Sequence, residues 1–124
     1  LDEWQRDGRA LGAVAKIDAG ALASRLARDE VTVIDVRNRS EWEGGHLPGA
    51  LHIPVGYLRD RLAEIPRDKP IVVQCQSGAR SAIATSELQR LGITAVLDLV
   101  GGYAAWEAGG HGVVRDAVTT GAGA

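Results

Sequence analysis

Three short runs of mostly apolar, β-branched residues constrain the fold of this chain more than any other feature. They lie at residues 31–36, 71–75 and 95–99, and each contains at most one charged side chain. Strands that are apolar almost throughout are typical of parallel sheets whose two faces are both covered. We therefore predict an α/β fold in which βα units build a parallel sheet through right-handed crossovers.

The segments between these runs carry helical spacing. Asp18 is the expected N-cap of the first helix, in which Leu22 and Leu26 share one face. In the longest helix we expect Ile83, Leu88 and Leu91 to face inward, a short strand is predicted over 51–54, and Val113 and Val114 are expected to make a final edge contact. The predicted helices and helical turns cover residues 19–28, 40–43, 56–64, 80–91 and 103–108.

A length of 124 residues suits one domain. We expect residues 1–16 to form a linker or N-terminal arm, residues 17–116 the domain, and residues 117–124 a flexible tail. Because the chain lacks Met and its first residues resemble a linker, we also expect a neighbouring domain fused on the N-terminal side.

Charge and composition exclude several classes of function. The formal net charge of −2 argues against a nucleic-acid partner, and no apolar run approaches the length of a membrane span. The absence of a signal-peptide pattern favours a cytoplasmic location. One cysteine, Cys75, excludes an internal disulfide and a zinc site of several cysteines, and the isolated His46, His52 and His111 suggest no metal site.

Cys75 ends a predicted buried strand and opens a loop of small residues that leads into a helix. Such a loop turns successive N–H groups inward, and the helix start adds partial positive charge. Arg80 adds a full charge, so the surroundings favour a nucleophilic thiolate at an exposed loop. A lone cysteine after an apolar strand is more often an inert core residue, but a glycine-bearing loop closed by arginine favours function. The predicted anion-binding loop consists of Gln76, Ser77, Gly78, Ala79, Arg80 and Ser81.

Five motifs in register give the chain, over about residues 17–114, a resemblance to the rhodanese (sulfurtransferase) domain family in its single-domain form. They are Asp35-Val36-Arg37, the segment from Glu41 to Ala50 (EWEGGHLPGA), Ile53-Pro54, the segment from Cys75 to Ser81 (CQSGARS), and Gly101-Gly102 with Trp106. The resemblance implies a three-layer fold with a mostly parallel five-stranded sheet and helices on both faces.

The resemblance also implies sulfur transfer through a covalent Cys75 persulfide, with no cofactor. The donor would be a small sulfur-containing anion such as thiosulfate, and the acceptor cyanide, sulfite or a thiol. Backbone N–H groups of residues 76–80 would hold the persulfide, and Arg80 would stabilise the loop. A non-catalytic binding module of the same fold is the alternative.

Loop length separates this chain from cysteine phosphatases and arsenate reductases, a less favoured interpretation. Those phosphatases place five residues between Cys and Arg, whereas Cys75 and Arg80 enclose four. A shorter loop suits a sulfur-bearing cysteine better than a phosphoryl group.

Four further residues are candidates for the pocket lining or its support. Asp35 and Arg37 end a strand, where an ion-pair network with Glu41 or the loop is the structural alternative, favoured for Asp35. Gly101 and Gly102 follow a strand, where they would allow a close backbone approach to the Cys75 loop. We interpret His46 as a hydrogen-bonded turn residue.

Overall fold

Five parallel strands run through the centre of the protein in a computed structural model that describes residues 15–76 and 79–114. Their order across the sheet is β1-β5-β4-β2-β3. The strands are β1 (Ala15–Ile17), β2 (Thr32–Asp35), β3 (Leu51–His52), β4 (Ile71–Gln74) and β5 (Val96–Leu99). The α-helices are α1 (Ala19–Ala27), α2 (Arg39–Glu43), α3 (Ala79–Arg90) and α4 (Gly102–Ala108). No described helix has the length and apolarity needed to cross a bilayer.

Both faces of the sheet are covered by helices, which confirms the three-layer α/β prediction. Side chains alternate along β4: Ile71 and Val73 join the core beneath α3, whereas Val72 joins the core beneath α1 and α4. Leu88 of α3 and Leu22 of α1 are fully buried on these two sides. The central strands are therefore apolar almost throughout because both of their faces pack against buried cores.

The strand β1, at one edge of the sheet, comes from the N-terminal side of the domain. Ala15 and Lys16, which the sequence analysis assigned to the end of the arm, pair with Leu97 and Asp98 of β5. Val114 instead forms an isolated antiparallel bridge with His46 outside the sheet. The rest of the predicted arm and the predicted tail lie outside the described residues.

The predicted helix over 56–64 is replaced by two 3₁₀ turns, Val55–Tyr57 and Leu62–Glu64. Leu58 is buried and Leu62 packs against the same core, so the predicted apolar face is correct. The segment contains Gly56, which disfavours a continuous helix.

The inward face predicted for α3 is wrong at one position. Leu88 is buried and Leu91 half-buried, but Ile83 is 62% exposed. The buried face is set by Ser81, Ala84, Thr85 and Leu88, which recur at helical spacing. Ser81 anchors this face toward the end of β4, so Ile83 is turned to solvent.

The two large apolar residues of α3, Leu88 and Ile83, therefore make a matched pair for a stability test. We expect Leu88→Ala to lower the free energy of unfolding by about 2–5 kcal/mol, because it leaves a cavity in a closed core. Ile83→Ala should change it by no more than about 0.5 kcal/mol. Urea denaturation followed by circular dichroism measures both, and similar losses would contradict this helix orientation.

Candidate active site around Cys75

Cys75 lies at the carboxyl edge of the sheet, directly after β4. Its side chain is 1% exposed and belongs to the apolar core beneath α3. The sequence analysis expected an exposed thiolate; the burial arises because residue 75 continues the alternation of Ile71 and Val73. Position alone would suit an inert thiol, so the groups around the sulfur decide what it can do.

A backbone N–H meets the sulfur directly. The N–H of Ser81 donates to Sγ of Cys75 at 3.2 Å, and Ser81 is itself fully buried. Because α3 begins at Ala79, Ser81 lies in its first turn rather than in the loop. The first N–H groups of a helix carry its partial positive charge, so an N–H at this position favours a sulfur anion.

The other predicted loop residues are placed differently. Ala79 is exposed and Gln76 is half-buried. Ser77 and Gly78 lie outside the described residues, so their predicted roles stay predictions.

Arg80 pairs with Glu41 instead of standing as an isolated charge beside the sulfur. Its two terminal nitrogens donate to the two carboxylate oxygens of Glu41 at 2.7 and 2.9 Å. This bidentate pair lowers the pKa of Glu41 and raises the pKa of Arg80. Glu41 also completes a capping box with Asn38 at the start of α2, so the pair joins α2 to the first turn of α3.

Asp35 and Arg37 form a buried ion pair with each other. Arg37 is 1% exposed, and its Nη2 lies 2.8 Å from Oδ2 of Asp35. The same guanidinium donates to the Gly45 carbonyl at 2.6 Å and to Oε1 of Gln76 at 3.1 Å. Asp35 thus has the structural role that the sequence favoured, and Arg37 reaches the loop as well. Glu41, considered there as a partner, binds Arg80 instead.

Gly101 and Gly102 let the start of α4 approach the Cys75 loop. The N–H of Tyr103 donates to the Cys75 carbonyl at 2.7 Å, and the N–H of Ala104 donates to the Gln76 carbonyl at 3.1 Å. Gly102 has a φ of +59°, and a Cβ there would overlap the Cys75 carbonyl oxygen. The predicted close backbone approach is confirmed, and it fixes the loop from the α4 side.

The histidines near this edge make structural contacts. His46 is 6% exposed and its Nδ1 lies 2.8 Å from the Trp42 carbonyl, as expected of a hydrogen-bonded turn residue. Both His46 and His52 stack on the Trp42 ring. Nε2 of His52 lies 2.8 Å from the Arg37 carbonyl, which connects this stack to the buried ion pair.

The sequence analysis did not identify two features of the site: the pairing of Glu41 with Arg80, and Asp98. The role of Glu41 as the partner of Arg80 depends on a contact between residues 39 positions apart. Asp98 accepts a hydrogen bond from Oγ of Ser81 at 2.6 Å and is 5% exposed. The available signal for Asp98 was its position as the one charged residue within the apolar run 95–99.

The contact between Gly102 and the Cys75 carbonyl predicts a large effect of a single methyl group. We expect Gly102→Ala to cost about 3 kcal/mol of folding free energy or more, because it adds a backbone clash to an unfavourable φ. Gly110 has a φ of +76° with open space around it, so Gly110→Ala should cost only about 1 kcal/mol. If thermal unfolding shows equal losses of stability in Gly102→Ala and Gly110→Ala, the close approach of α4 to the Cys75 loop adds nothing to the cost at Gly102.

The Glu41–Arg80 pair predicts a specific pH dependence of stability. The pKa of Glu41 is lowered from its usual 4.5, chiefly by the hydrogen bonds from Arg80. Its stabilisation is therefore present above pH 4.5 and is lost as the pH falls through the lowered value. Because both groups are partly exposed, we expect about 1 kcal/mol.

Glu41→Gln should accordingly remove part of the acid-side loss of stability measured by urea denaturation between about pH 5 and pH 3. Glu43→Gln is the matched control on the same helix, because Glu43 forms only an exposed pair with Arg39. Parallel stability curves for Glu41→Gln and the unmodified protein would contradict the assignment.

Comparison with known proteins places this site in a family. A model of the rhodanese-like domain matches residues 18–109. A sulfurtransferase of Allochromatium vinosum is 39% identical over 102 residues, which cover 82% of this chain and 95% of that protein. A thiosulfate sulfurtransferase of Arabidopsis thaliana is 36% identical over 62% of this chain and 74% of its own length. Other curated relatives are longer, and the chain spans 65% of one Bacillus subtilis protein and 51% of another.

The fold is shared as well. The crystal structure of a rhodanese-related protein from Thermoplasma volcanium superposes with a TM-score of 0.76 at 33% identity, covering 82% of this chain and 99% of that one. The family match extends from Asp18, ahead of α1, to Gly109, after α4, and so contains Cys75 with every residue that contacts it above. This chain belongs to the rhodanese-like domain family.

Proposed function

We propose that this chain is a sulfurtransferase that carries a sulfur atom on Cys75. The observation that carries the proposal is the hydrogen bond from the Ser81 N–H to Sγ, at the carboxyl edge of a parallel sheet. Ligand sites of α/β sheets collect at this edge, and a helix-start N–H stabilises a sulfur anion. Relatives named sulfurtransferases support the same activity.

The reaction proceeds in two balanced steps, with thiosulfate as the proposed donor. The Cys75 thiolate attacks the outer sulfur of thiosulfate, the bond between its two sulfurs breaks, and its electron pair leaves with sulfite. The enzyme then holds a persulfide anion. Cyanide attacks the outer sulfur of that persulfide, thiocyanate departs, and the Cys75 thiolate returns; sulfite or a thiol accepts the sulfur in the same way. The persulfide is the carrier, so the reaction needs no cofactor.

The surrounding residues act on the position of the loop. Arg37 donates to the side chain of Gln76, and the start of α4 holds the carbonyls of Cys75 and Gln76. These contacts fix the backbone at Cys75 and at the residue after it, which lowers the cost of reaching the reactive geometry.

Phosphate chemistry fits the site less well. A phosphatase needs its loop arginine to bind the phosphoryl group, usually with two parallel hydrogen bonds. Both terminal nitrogens of Arg80 instead donate to Glu41. The end-on pair of N–H donors of Arg80 is thus used to hold α2 against α3.

Mass spectrometry of the intact protein after exposure to thiosulfate tests the proposal. We expect the mass of one sulfur atom to be added, and then removed by cyanide with formation of thiocyanate. Cys75→Ser is the control, and it is unambiguous because the chain has no other cysteine. The unmodified protein denatured in urea is a second control, since an unstructured thiol should gain no sulfur.

Failure to gain sulfur from thiosulfate, mercaptopyruvate and glutathione persulfide alike would overturn the proposal. It would favour the non-catalytic binding module of the same fold. A gain from one of the other donors but not from thiosulfate would retain the persulfide chemistry and replace the donor.

A further inference from the structure

A buried carboxylate lies on the far side of Ser81 from the sulfur. Ser81 donates its backbone N–H to Sγ of Cys75 at 3.2 Å and its hydroxyl to Oδ1 of Asp98 at 2.6 Å. Asp98 is on β5, where it pairs in register with Val73 of the neighbouring β4, two residues before Cys75. One serine therefore bridges the proposed nucleophile and a carboxylate on the next strand.

Burying the Asp98 carboxylate costs free energy unless polar partners compensate for the lost water. Asp98 is 5% exposed, and its cationic neighbour, Nζ of Lys16, lies 3.6 Å away on a side chain that is 62% exposed. Such a contact recovers little of the free energy lost when a charge leaves water. The short hydrogen bond from Ser81 is the stronger interaction, because a charged acceptor strengthens it.

The hydroxyl bond also fixes the first turn of α3. Ser81 is the third residue of α3, and the first turn of a helix frays readily. A side chain held at 2.6 Å by a group on another element prevents that motion. We propose that Asp98 is a positioning residue, which holds Ser81 so that its N–H stays on the Cys75 sulfur.

The inference deepens the proposed function, on which its role in sulfur transfer rests. A donor N–H held on Sγ stabilises the thiolate before attack and the sulfur anion that is regenerated when the acceptor takes the sulfur. In this role Asp98 acts through Ser81 and not on the sulfur donor. Its loss should therefore lower kcat for thiosulfate with little change in KM.

Charge and position predict opposite effects, which makes the proposal testable. The negative charge of Asp98 disfavours a nearby thiolate, so its removal alone would move the reactivity of Cys75 to lower pH. Loss of the tether weakens the N–H contact with the sulfur and moves reactivity to higher pH. The direction of the shift separates the two.

The experiment measures the rate of Cys75 alkylation by iodoacetamide against pH, in the full chain and without any sulfur donor. Asp98→Ala and Ser81→Ala should each move the midpoint of the profile up by about one pH unit, the scale of one weakened charge-assisted hydrogen bond. The double variant should show no more than the larger single shift, because both changes break the same contact. Asp98→Asn, whose amide oxygen accepts the same hydroxyl, should restore most of the original profile.

Lys16→Ala is the matched control, since it removes the ion pair of Asp98 and leaves the bond to Ser81 in place. It should keep the original profile. Thermal unfolding of every variant verifies that it is folded under the assay conditions. Where one alanine variant does not fold, the other still gives the direction of the shift.

A midpoint that is unchanged or lower in both Asp98→Ala and Ser81→Ala would overturn the proposal. So would additive shifts in the double variant, or an Asp98→Asn profile that follows Asp98→Ala. Alkylation needs no sulfur donor, so the two proposals can fail separately. If the wild-type chain takes up no sulfur but the variants show the predicted shifts, the proposed function is overturned and the positioning role of Asp98 stands.

Discussion

The buried ion pair of Asp35 and Arg37 is the interaction on which the arrangement of the site depends. One guanidinium holds the end of β2 through Asp35, the turn before β3 through the Gly45 carbonyl, and the Cys75 loop through Gln76. It also lies 4.3 Å from the centre of the Tyr103 ring on α4. Loss of one partner would leave a buried charge, at a cost of about 3–5 kcal/mol. One side chain therefore connects four segments, and two of them, the Cys75 loop and α4, are far from Arg37 in sequence.

The electrostatics of the site are local. A chain with a net charge of −2 offers no broad positive field, and the arginine that closes the loop is balanced by Glu41. At the sulfur itself, a backbone N–H from the first turn of α3 donates to Sγ. Backbone dipoles can favour an anion at one atom without changing the net charge of the protein, and they cost little reorganisation when the charge develops.

The loop is held from two sides. From the α4 side, N–H groups of Tyr103 and Ala104 take up the carbonyls of Cys75 and Gln76. From the α3 side, Ser81 spans the space between Cys75 and Asp98. A sulfur anion buried among apolar side chains depends on such fixed polar groups, because burial separates its charge from bulk water.

Local sequence patterns were sufficient for the three central strands of the sheet and for the place of Cys75. The runs at 31–36, 71–75 and 95–99 are apolar because strands covered on both faces must be, and this property is visible without any tertiary contact. The glycines at 101 and 102 likewise signalled a close backbone approach. The strand β1 carried no such signal, because three residues are too few to show a period.

The partners of the charged and polar side chains were decided only by the folded chain. Arg80 and Glu41 are 39 positions apart, and Ser81 and Asp98 are 17 apart, so no local pattern links them. The orientation of α3 was settled in the same way, since the packing of Ser81 against the end of β4 outweighs the apolar character of Ile83. Periodicity records which faces are buried, whereas the identity of each contact depends on how the βα units meet across the sheet.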